Sequence, residues 1–147
     1  MPNDLRAWFP KLNAQNHRIT SDETPRYNCV AWAANDSSRW WDHAPGYYWP
    51  DELPRDESVD AYVGLFRRLG FELCDNPEHE SGFEKIAVYG KAGKFSHAAR
   101  LLESGNWTSK LGTLEDIEHD DLDSLTEDVD NSYGQPLVFL RRAKAQP

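Results

Sequence analysis

The sequence predicts an α+β domain in which a helical N-terminal half precedes an antiparallel β-sheet. Three observations carry this. The clearest helical spacings fall within residues 28–70, alternating strand segments follow between residues 84 and 111, and short glycine turns separate those strands. The 147 residues, 39% apolar and 12% aromatic, suffice for one packed core.

Residues 1–26 read as an irregular leader, because Pro2, Pro10 and Pro25 interrupt any helix among mostly polar neighbours. Next, Tyr27-Asn28-Cys29-Val30-Ala31-Trp32-Ala33-Ala34 carries Cys29/Ala33 and Val30/Ala34 at helical spacing. This predicts a short buried helix opening near Cys29, with Asn28 at its N-cap. The stretch Trp40–Pro54 is aromatic and proline-rich, so an ordered loop is expected there. From Ser58 an amphipathic helix sets Val59, Tyr62, Val63, Phe66 and Leu69 on one face and stops at Gly70.

Phe71–Cys74 alternates as a strand, and Asp75–Gly82 reads as a loop. Strands are then expected over Glu84–Tyr89, Ser96–Glu103 and Asn106–Leu111, separated by Gly90–Gly93 and by the tight Ser104-Gly105 turn. The acidic segment that follows reads as one or two short helices with Leu114, Ile117, Leu122, Leu125 and Val129 inward. Tyr133-Gly134 turns the chain into a last strand, Leu137–Leu140. One domain therefore spans 27–142, with a leader over 1–26 and a tail over 143–147.

The net charge of −9 is uneven. Residues Glu115–Asp130 hold nine of the 25 acids and none of the 16 bases, so the remainder is neutral. A duplex-binding domain is excluded, since counterion release needs a clustered basic face. No apolar run approaches the roughly 18 residues of a membrane span, and the N-terminus lacks an apolar export region. With only Cys29 and Cys74, a reduced cytoplasmic setting is expected rather than a disulfide scaffold, with delivery by a dedicated secretion system left open.

Metal binding finds no paired ligand spacing, and the acidic segment lacks the glycine and terminal glutamate of a calcium loop. No phosphate-cradling glycine loop is present, and no cofactor is expected. Cys74 reads as structural, His119 as a cation at a helix C-terminus, and Lys85 and Lys110 as solvated strand residues.

A cysteine at a helix start is where unpaired N–H groups favour thiolate. Nucleophilic use also needs an imidazole in reach and a third group to orient it. His97 opens the strand Ser96-His97-Ala98-Ala99-Arg100, on a sheet expected to pack against the cysteine helix.

This order resembles the papain-like superfamily, and is most similar to bacterial NlpC-type and CHAP-type cysteine amidases. The resemblance implies a papain-like domain with Cys29 as nucleophile and His97 as base. The third residue falls twelve positions on at Ser109, where those families carry His, Asn, Gln, Asp or Glu. Asp116 and Glu118 are the fallback orienting groups. The phrases Tyr-Asn-Cys-x-Ala-Trp-Ala, Glu-Lys-Ile-Ala, His-Ala-Ala, Trp-x-Ser-Lys-Leu-Gly and Asp-Ile-Glu-His also resemble a group of small bacterial domains of no assigned activity, over Tyr27–Arg141.

The reaction so implied is hydrolysis or deamidation of an amide in a peptide or protein, or acyl transfer. The Cys29 N–H would serve as oxyanion donor, supported by Asn28 or Tyr27, with Trp32 and Trp41 at the cleft. Trp40, Tyr47, Tyr48 and Trp49 would wall it. The alternative class is a catalytically silent protein-binding module or acidic antidote, using the aromatic loop or docking a basic protein at Glu115–Asp130. A delivered bacterial toxin is the third reading.

Overall fold

Among the described residues seven strands join in one antiparallel sheet. A computed structural model describes residues 9, 11–13, 15–21, 24–111, 115–122, 125–126 and 134–144. The strands are β1 (His17–Ser21), β2 (Glu72–Cys74), β3 (Phe83–Lys91), β4 (Lys94–Leu101), β5 (Trp107–Lys110), β6 (Asp116–His119) and β7 (Gln135–Ala143). Their spatial order is β1-β6-β5-β4-β3-β7-β2. Helices α1 (Cys29–Ala33) and α2 (Val59–Arg68) precede most of the sheet.

The helices form where local chemistry favours them. The Asn28 side chain caps α1 by accepting from the Ala31 N–H at 3.2 Å. Ser58 caps α2 through the Ala61 N–H at 3.1 Å, Arg67 and Arg68 close its last turn, and Gly70 exits at φ +101°.

Each face of the sheet carries its own core. On one, α1, α2 and the aromatic loop bury Cys29, Val30, Trp41, Trp49, Tyr62 and Phe66 against Ile86, Val88, Ala98 and Leu140. Tyr62 anchors this layer, stacked on Phe95 at 3.8 Å and edge-on to Trp49 at 5.0 Å. A buried ring of this size contributes about 2–3 kcal/mol by burial. On the other face, Phe9, Leu12, Leu122 and Leu125 cover Ala87, Tyr89, Ala99, Trp107 and Ile117.

Several expectations are corrected. The helix-packed, papain-like α+β class is overturned, because the described residues form a mostly antiparallel β-sheet with only two helices, of five and ten residues. Two strands replace what was read as leader and helix. His17–Ser21 pairs with β6, and Asp116–His119 lies between β1 and β5. Alternation of Asp116, Ile117, Glu118 and His119 suits a strand whose polar partners are Lys110 and Thr108 across β5. Ile117, Leu122 and Leu125 are buried as expected. Leu114, Val129, Tyr133 and the acids Asp123, Glu127, Asp128 and Asp130 lie outside the described residues.

Gly90 does not break β3. A Cβ there would meet Leu137 and Val59 at 2.8 Å, so glycine permits close packing, and the turn falls on Ala92-Gly93 at φ 52° and 81°. Lys85 and Lys110 are not solvated either, being 2% and 0% exposed, because both sheet faces are covered.

Candidate functional site

Cys29 opens α1 on the face that α1 and α2 cover, and it is 7% exposed. Burial pushes its thiol up to about 11, outweighing the backbone N–H groups of Ala98, Val30 and Cys29 itself and the Lys110 ammonium, which favour thiolate. At neutral pH the sulfur is a protonated thiol.

His97 lies across the sheet. Successive strand residues point to opposite faces, so Ala98 packs with Cys29 while His97 and Ala99 turn away. The His97 ring meets Tyr89 edge-on at 5.3 Å, in the core beneath Phe9 and Leu12. Burial lowers the His97 pKa well below its usual value, and His119 adds to the effect. Cys29 and His97 are therefore not brought together.

Ser109 does meet His97, with Oγ 2.9 Å from Nε2. The same hydroxyl lies 2.8 Å from His119 Nε2, and His119 Nδ1 reaches the Asp121 carbonyl at 2.8 Å. Burial holds His119 down to about 4, although the Asp121 carbonyl partly opposes this. His119 is thus a buried neutral strand residue, which corrects its reading as a helix-terminal cation. The signal that would have found it is position: Ser109 and His119 share a face of adjacent strands, two residues apart in register.

The other candidate residues lie on the Cys29 side. The Tyr27 hydroxyl donates to Asp116 Oδ2 at 2.7 Å, and Thr20 and Ser21 donate to Oδ1. Lys110 Nζ, missed as a buried group, donates to the Thr24 carbonyl at 2.9 Å and sits 5.2 Å from the Tyr27 ring. Trp32 Nε1 donates to Thr108 Oγ at 2.9 Å. Glu118 pairs with Arg18 at 2.7 Å, and Asn106 donates to its second oxygen. Asp116 and Glu118 thus face away from His97 and do not orient it.

Asn28 does more than cap α1. Its Oδ1 also accepts from the Trp41 N–H at 3.2 Å, and its Nδ2 donates to the Trp41 carbonyl at 2.6 Å. Trp41 and Trp49 are buried under the loop, whereas Tyr47 is 47% exposed and Trp40 half-buried. Arg55 donates to the carbonyls of His43 and Ala44 at 3.2 and 2.9 Å, and Arg39 stacks 3.6 Å over the Tyr48 ring. The loop is thus tied down at several points, with Trp41 and Trp49 turned inward and Tyr47 outward.

Among the described residues no group of three or more His, Cys, Asp or Glu could hold a metal ion. No described helix is long and apolar enough to cross a membrane. The chain belongs to the family described as a domain of unknown function (DUF7689), whose pattern matches residues 18–141 and so takes in most of β1. No curated protein and no solved structure matches it.

Proposed function

We propose that the domain acts by binding a protein partner through the aromatic loop Trp40–Pro54, without thiol chemistry. The observation that carries this reading is the separation of Cys29 from His97 by the sheet, with the thiol buried and protonated. An acyl-transfer nucleophile needs a base within hydrogen-bond reach and access to substrate, whereas His97 lies on the other face of the sheet and Cys29 is buried. The loop has what a docking surface needs. Trp40 and Tyr47 pair at 6.1 Å, and the Arg55 hydrogen bonds preorganise the backbone beneath them.

Within the described part of the acidic segment, Glu115 and Asp116 are buried and Glu118 is paired, so that among the described acids only Asp120 and Asp121 stand exposed, which favours the loop over that segment as the docking surface. A reducing, cytoplasmic setting belongs to the same proposal, since both cysteines are free thiols.

Thiol-dependent amide hydrolysis, deamidation or acyl transfer is the second reading. It is favoured by the position of Cys29 at a helix start with backbone N–H groups around the sulfur. It requires the core over Cys29 to open and a base other than His97 to approach.

Two measurements decide. Under iodoacetamide in native buffer, Cys74 alkylates first and Cys29 only on unfolding; rapid alkylation of Cys29 overturns the binding reading in favour of hydrolysis. A displayed peptide library panned on the native protein yields binders that lose affinity for the Trp40→Ala/Tyr47→Ala variant. Binders indifferent to that change, or no enrichment at all, overturn the assignment to the loop.

A further inference from the structure

Beside the aromatic loop, an open groove of about 330 Å³ runs between Leu53-Pro54 and the first turns of α2. Leu53, Pro54, Ala61 and Gly64 give it an apolar floor, and Asp56 and Asp60 stand at its walls. The nearby cations are engaged elsewhere: Lys94 pairs with Glu57 at 3.3 Å, and Arg55 serves the loop carbonyls. Among the described residues neither Asp56 nor Asp60 has an ion-pair partner. Asp56 accepts only the Ser58 N–H, at 3.2 Å.

Gly64 is an independent observation. It lies inside α2, where glycine is unfavourable relative to alanine. Its φ is not positive, and an added Cβ would meet nothing within 4 Å. Neither backbone conformation nor internal packing accounts for a glycine here. A methyl group would instead project into the groove, so glycine keeps the floor open.

We propose that this groove receives a lysine or arginine side chain of the docking protein, its methylenes on the apolar floor and its charged end between Asp56 and Asp60. The inference rests on the binding reading above and names the partner chemistry that reading leaves unspecified. Burying the methylene stem while the head meets carboxylates is the usual compromise for a long cationic side chain.

Backbone amide NMR spectra titrated with N-acetyl-lysinamide and N-acetyl-argininamide test this, with N-acetyl-norleucinamide as the uncharged control. The expected result is saturable shifts at Asp60, Ala61 and Gly64 for the two cationic amides, and roughly tenfold weaker binding of the control. The Asp56→Asn/Asp60→Asn variant weakens the cationic amides to the same degree. Gly64→Ala raises Tm by roughly 3 °C yet weakens them too, separating occupancy from folding. Equal binding of norleucinamide, indifference to the double variant, or absence of shifts in the groove overturns the proposal. Loss of groove binding while library peptides still depend on Trp40 and Tyr47 overturns this inference alone. Peptides indifferent to those two residues overturn the reading beneath it.

Discussion

His97 and His119 contact one hydroxyl from two strands, Ser109 Oγ, at 2.9 and 2.8 Å. The chain of bonds has a direction. The Asp121 carbonyl only accepts, so His119 Nδ1 donates to it and Nε2 is left as an acceptor. Ser109 then donates to His119 and accepts from His97 Nε2–H. One carbonyl thereby sets the tautomers of two buried imidazoles.

Both histidines are held neutral, which makes stability depend on pH. Each has a folded pKa below its unfolded value, so the unfolded chain binds more protons once pH falls below about 6.5. Their contribution is complete above that value and is lost as pH falls toward the folded pKa, about 4 for His119. His119 alone accounts for up to about 3 kcal/mol over this window. Urea unfolding across the same range should show the loss, and His119→Asn, which keeps a donor for the Asp121 carbonyl, should flatten it. An unchanged slope in that variant would contradict the account.

Ser109→Ala removes the shared partner and leaves buried ring nitrogens unsatisfied. The expected destabilisation is about 2 kcal/mol in chemical denaturation. Ring-nitrogen NMR shifts should show His97 losing its single tautomer, while the Asp121 carbonyl keeps His119 protonated at Nδ1. A neutral mutation would mean that the hydroxyl does not hold the pair.

Tyr27→Phe tests the polar cluster on the opposite face. Asp116 is buried and receives the Tyr27 hydroxyl at 2.7 Å, so the variant should lose about 1–2 kcal/mol. Thermal unfolding gives the comparison, and a Tm equal to wild type would count against the bond.

Gly134 sits at φ +74°, and an added Cβ would strike the Gly90 carbonyl. Gly134→Ala should therefore cost more than about 2 kcal/mol, combining backbone strain with a backbone clash. Gly105, at φ +92° with open space around it, should lose only about 1 kcal/mol on the same change. The difference between their unfolding midpoints is the measurement.

Local signals in the sequence were sufficient for some elements and silent on others. Asn28, Ser58 and Gly70 act within a turn of the helices they bound, and all three serve as their residue types predict. The direction in which His97 points has no such local signal. It depends on strand register, and a bulge between Tyr89 and Gly90 shifts the pairing of β3 with β4 beside His97. Strand β1 carries one large apolar residue, Ile19, so its edge position leaves no hydrophobic alternation to read. β6 was hidden by its charge, because the groups that accommodate Asp116 and Glu118 come from Tyr27, Arg18 and Asn106, far along the chain. Ser109 was found by its spacing from His97; that His119 completes the set follows only from the pairing of β5 with β6.

The Asn28 side chain has a dynamic consequence. By capping α1 and bonding both backbone groups of Trp41, it ties a five-residue helix and the start of the aromatic loop into one opening unit. The amides of Ala31 and Trp41 should exchange with solvent at closely similar protection, and Asn28→Ala should lower both together. On the proposed binding reading, the start of the loop is ordered together with α1 rather than by contact with a partner.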